Sequence, residues 1–201
     1  MIFNLTVLKK LMKTAYTGSG LLVANKHGRI IIGGEHWTLA MYDSVFTKKA
    51  KSALVELTGD LPAQGESWSC TSAGNQITMP SWANIDEKIQ NIEDGEYFRK
   101  TVVLYEAAGS LQRIYQKNKE IIYVNVVAES LMDGKPEEEE EEYIDGPYLH
   151  EGRLYWKNSY CAFGVDYKPP EEYIESVASR AQVAFTEQLQ EYGIKIDTAI
   201  R

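Results

Sequence analysis

The sequence predicts an α+β protein built from two related units, each running strand, helix, strand, strand, strand, helix. Three observations carry this. Residues 27–43, HGRIIIGGEHWTLAMYD, have the pattern of two strands around a Gly-Gly turn, and residues 151–167, EGRLYWKNSYCAFGVDY, carry similar punctuation. Gly28-Arg29 and Gly152-Arg153 stand at equivalent points of these stretches, 124 positions apart. Amphipathic helical patterns flank both hairpins.

In the first unit, placed at residues 1–80, residues 2–6 (IFNLT) alternate apolar and polar side chains, as a strand does. VLKKLMKTAY then sets Val7, Leu8, Leu11, Met12 and Ala15 on one helical face and Lys9, Lys10 and Lys13 on the other. The TGSG that follows contains a GxG, but it follows a helix rather than a strand, so a dinucleotide-binding turn is the wrong context. Gly18 or Gly20 as a left-handed helix cap accounts for it better. LLVAN, RIII and WTLAMY follow as three strands. SVFTKKAKSALVELTG is a helix with Ser44 as N-cap and Gly59 as its stop. ESWSCTSAGNQITMP is a hairpin turning at Ala73-Gly74-Asn75.

Residues 81–95 form a connector, and the second unit occupies 96–201. FRKTVVLYE and IIYVNVVAE are strands there, with EAAGSLQRIYQKN between them as a helix that Gly109 weakens by about 1 kcal/mol relative to Ala. GRLYW and CAFGVDY make the second hairpin, and PPEEYIESVASRAQVAFTEQLQEY a long final helix. Pro169 or Pro170 suits that helix's first turn, and Glu171, Glu172 and Glu175 complement its dipole. An acidic insertion at 129–147 lengthens the second unit; its run of six glutamates is expected as an exposed loop, since like charges repel and resist burial.

Net charge is −8, which does not suit a general polyanion binder, yet the charge is uneven. Residues 1–57 hold eight lysines and arginines against three acids, while the remainder holds 13 against 26. One basic face on an acidic body fits this asymmetry. Cys70 and Cys161 form no CxxC pair and sit in strand-like runs, as small buried hydrophobes in a reducing compartment do. No signal peptide and no run of about 18 apolar residues is present, so no membrane partner and a cytoplasmic location are expected.

Catalytic chemistry is weakly marked. Of His27, His36 and His150, none pairs at the i, i+4 spacing of a helical metal site, and no metal or other cofactor is expected. A general base at His36, oriented by Asp43 or Glu35, lacks a marked nucleophile or metal in reach. Among the aromatics, Tyr155, Trp156 and Tyr160 flank the second hairpin turn. Because alternate strand positions face opposite ways, Tyr155 and Trp156 are not both expected in the core of a half-buried strand. One of them either packs under the insertion or joins a partner-binding patch.

The repeated strand–helix–strand–strand–strand order resembles that of the DNA polymerase sliding clamps. MIFNLTVLKKLMKTA is similar to a clamp's opening strand and first helix, and GRIIIGGEHWTLA to its strand–turn–strand with Gly-His, here interrupted by Glu35. TKKAKSALVELTGDLPAQGESWSCTSAGNQITM is similar to its second helix, Leu-Pro turn and two strands. The resemblance implies a non-enzymatic, replication-accessory role, with helices facing double-stranded DNA and subunits that self-associate. Lys9, Lys10, Lys13, Lys48, Lys49 and Lys51 would then supply phosphate contacts, which are sequence-independent and salt-sensitive. A solvated helix face is the other account of these lysines. The final helix, with five glutamates against Arg180 alone, does not suit a DNA channel. The alternative function is a protein-interaction module of a phage or mobile element, using aromatic and acidic surfaces without DNA.

Overall fold

The computed structural model describes residues 3–78, 96–107, 110–133, 144–150 and 152–167. The fold is mixed, with more strand than helix. The chain divides into two units: Met1–Tyr97 with Val127–Asp166, and Phe98–Val126 with Tyr167–Arg201.

The first unit opens on helix α1, Leu5–Thr17. Its start differs from expectation, because residues 3–6 form no strand. The Asn4 side chain accepts from the N–H groups of Thr6 and Val7 at 3.1 and 3.3 Å, and this cap begins the helix two residues earlier than the apolar periodicity does. Leu8, Met12 and Ala15 are the buried face. Gly20, not Gly18, takes the positive φ, at 108°. Strands β1 (Leu21–Lys26), β2 (Arg29–Gly33) and β3 (Trp37–Tyr42) follow as expected. Helix α2 is Lys48–Thr58, with Thr47 rather than Ser44 at the N-cap: the Thr47 hydroxyl accepts from the Ala50 N–H at 3.3 Å. Residues 43–45 are a turn that carries the side chain of Phe46 into the core. Strands β4 (Ser67–Thr71) and β5 (Gly74–Ile77) form the expected hairpin, and β6 is the pair Glu96–Tyr97.

Beyond the second unit the chain returns through a short helix, Val126–Glu129, and a 3-10 turn, Ser130–Met132. It then adds β10 (Asp145–His150), β11 (Arg153–Lys157) and β12 (Cys161–Asp166). These join β1–β6 in one nine-stranded antiparallel sheet of order β5-β4-β1-β2-β3-β12-β11-β10-β6. Each bound of β10, β11 and β12 lies 124 positions after the matching bound of β1, β2 and β3. The registers match too: Ile31 pairs Ala40 as Tyr155 pairs Gly164. The two three-strand meanders meet at β3 and β12, where Leu39 lies opposite Phe163, its own equivalent. Symmetry breaks in β10, where the register shifts between Asp145 and Tyr148; Pro147 lies in that interval and has no N–H to donate to the ladder.

Helices α1 and α2 pack against each other; α1 touches β1, β2 and β4, and α2 touches β4. Gly34 lets α1 come close, because a Cβ there would stand 3.2 Å from that of Ala15 and 2.5 Å from the Trp37 indole nitrogen.

The second unit is a three-stranded antiparallel sheet of β7 (Arg99–Ala107), β8 (Ser110–Lys117) and β9 (Glu120–Asn125). Here the sequence expectation fails, since the helix expected within 106–118 is strand from Ser110 to Lys117. Leu111, Ile114 and Tyr115 have helical spacing, but they also place Ile114 and Tyr115 on opposite faces of a strand, and both are buried. Cross-strand pairs to Tyr123 and Ile122 decide the matter. Ile114 and Tyr123 form a small core with Val103, Tyr105 and Ile121. The strand expected through Glu129 stops at Asn125. The six-element order therefore does not recur in the second half as expected. The connector 81–95, the six-glutamate run and the final helix lie outside the described residues.

Candidate functional site

Helices α1 and α2, which carry the six candidate lysines, pack against each other in the first unit. Lys9, Lys10, Lys13, Lys48 and Lys49 are exposed. Lys51 is only 31% exposed, and its ammonium lies 2.7 Å from the Asp43 carboxylate. Among the described residues it alone of the six is in an ion pair. Neither helix carries an acid in its first turn. Lys48, Lys49 and Lys51 therefore crowd the positive end of α2's dipole, where cations cost a few tenths of a kcal/mol or more each. The local sequence of α2 explains the placement: Ala50, Ala53 and Leu54 must point inward, which sends Lys48 and Lys49 outward.

The aromatic trio is not brought to one surface. Tyr155 and Trp156 are both buried, and Tyr160 is 41% exposed. The expectation that one of the first two lies outside the core is corrected: Leu154, Tyr155 and Trp156 in succession are buried, so both faces of β11 are covered here. Trp156 packs on Phe163 with ring centroids 5.8 Å apart, and Tyr155 lies over Gly164.

His36 has a partner that sequence spacing does not reveal. Its Nδ1 is 3.3 Å from the Asp166 carboxylate, while Glu35 lies 3.8 Å from its Nε2. Asp166 also receives Arg153 Nε at 2.5 Å, and Arg153 donates to the Thr38 hydroxyl at 3.1 Å. Asp43, one suggested orienting group, is engaged by Lys51 instead. His36 is 67% exposed, so this His–Asp–Arg cluster ties the start of β3 to the end of β12 at the surface. The equivalent pair in the first meander is Arg29 and Tyr42, joined by a 3.0 Å hydrogen bond. Only the pairing of β3 with β12 could have pointed to Asp166.

Both cysteines are buried, and burial raises their thiols, Cys70 to about 11 and Cys161 to about 12, so neither is an activated nucleophile. Among the described residues no group of three or more His, Cys, Asp and Glu side chains is placed to hold a metal ion. No helix among them is long and apolar enough to cross a membrane.

No family model matches the chain. No curated protein matches it. Among solved structures it has a weak fold resemblance to a DNA polymerase III subunit beta sliding clamp from Bartonella birtlesii, at 11% identity and a TM-score of 0.26. The match covers 84% of this chain and 62% of the clamp chain, so this chain spans under two thirds of that length.

Proposed function

We propose that this is a non-enzymatic, clamp-like DNA-associated or replication-accessory protein of the cytoplasm that meets double-stranded DNA through α1 and α2. The observation that carries the proposal is the packing of α1 on α2 with Lys9, Lys10, Lys13, Lys48 and Lys49 exposed. Lysines that reach only phosphates read no base edges, so binding through them is indifferent to sequence and falls with salt. The three-strand correspondence across 124 positions supports a relation between residues 21–42 and 145–166 within one sheet. In sequence the acid excess lies outside residues 1–57, away from these lysines along the chain.

A duplex-DNA titration over a range of salt concentrations tests this. Each phosphate neutralised contributes about 0.9 to the slope of log affinity against log salt. Replacing Lys9, Lys10 and Lys13 by Gln should make the slope shallower by up to about 2.7. Folding should barely change, because Lys and Gln have similar helix propensity. A flat titration at low salt together with a monomeric mass would turn the assignment to a protein-interaction module. That alternative draws on the acidic body and on exposed Tyr160.

A further inference from the structure

We infer that Asp43 masks Lys51, so that the DNA-contacting set is five lysines and Asp43 sets how strongly this face attracts phosphate. The inference rests on the proposed DNA reading. The other five lysines have no acid three or four positions away on their helices, whereas Lys51 meets a carboxylate from outside its helix. Both partners are held by backbone. The Asp43 N–H donates to Gly28 O at 2.9 Å, its own carbonyl accepts from Phe46 at 3.3 Å, and Lys51 N–H donates to Thr47 O at 2.9 Å. The carboxylate and ammonium are thus brought together by the turn between β3 and α2.

An exposed pair of this kind adds little stability. Its effect on a polyanion is larger. A lone ammonium attracts phosphate as a single charge, but an ammonium 2.7 Å from a carboxylate acts outward as a dipole, whose field falls faster with distance. A phosphate that approached Lys51 would also meet the Asp43 charge. Lys51 therefore releases little counterion on binding.

The test compares the parent with Lys51→Gln, Lys49→Gln and Asp43→Asn in duplex-DNA titrations between 50 and 200 mM salt, conditions under which one phosphate contact is worth about 3.5-fold in affinity change. Lys51→Gln should leave the slope unchanged, and Lys49→Gln should lower it by about 0.9. Asp43→Asn should raise it by about 0.9 as Lys51 becomes available. If the parent binds and Lys51→Gln lowers the slope as much as Lys49→Gln, while Asp43→Asn changes nothing, the masking is refuted and the DNA reading stands. If neither the parent nor Asp43→Asn binds at low salt, the DNA reading fails and the masking with it. Binding by Asp43→Asn alone would refute the DNA reading for the parent chain, and the five-lysine contact set with it. Thermal midpoints within a few degrees of the parent's would exclude misfolding at these positions.

Discussion

Replacing Phe163 by Ala attacks the point where the two meanders meet. Phe163 is fully buried, lies opposite Leu39 across the β3–β12 ladder and packs on Trp156. Removing a buried phenyl ring costs about 3–5 kcal/mol, combining lost transfer energy with the cavity left behind. The ring contact with Trp156, at 5.8 Å between centroids, adds roughly 0.5–1.5 kcal/mol to what area alone gives, which favours the upper half of that range. For a chain of this size each kcal/mol moves the thermal midpoint by about 2–4 °C, so a loss of about 4 kcal/mol lowers it by about 8–16 °C. The assay is denaturant and thermal unfolding followed by far-ultraviolet circular dichroism and by tryptophan fluorescence. Because β1–β3 and β10–β12 share one sheet, both probes should shift together in a single transition. A loss below about 1 kcal/mol would refute the buried joint. So would a variant in which fluorescence shifts while the dichroism midpoint stays, since β12 would then unfold apart from β1–β3.

Two further outcomes follow from the packing. Gly164→Ala should lose about 1–3 kcal/mol, because its Cβ would stand 2.7 Å from the buried Tyr155 ring; an unchanged midpoint would show that the ring moves freely. Cys161 should resist a thiol reagent at pH 8 in the native protein and react on unfolding, since burial raises its thiol to about 12. Up to the ordinary value of 9.0 both states keep the proton, and above it only the unfolded chain loses one. Stability relative to a Cys161→Ala variant should then fall by about 1.4 kcal/mol per pH unit. Rapid native labelling at pH 8 would contradict this.

The sequence by itself determined the elements whose signals are local. Strands β1–β3, the hairpin of β11 and β12, and helices α1 and α2 follow from periodicity and turn residues, and the set of outward lysines follows from the apolar faces of two helices. The 124-residue spacing of Gly28-Arg29 and Gly152-Arg153 marked the two hairpins, but not β10, which begins inside the segment expected as an insertion, 129–147. Tertiary structure decided what local pattern leaves open. Ser110–Lys117 carries apolar residues at a spacing that serves either helix or strand, and partners on β7 and β9 made it strand. Tyr155 and Trp156 both became core because the fold covers both faces of their strand, a fact no alternation within five residues contains. Asp166 reached His36 across 130 positions, and the turn after β3 brought Asp43 to Lys51. Side-chain charge is written in the sequence, but whether a charge is free or neutralised depends on distances of a few ångströms that only the folded chain sets.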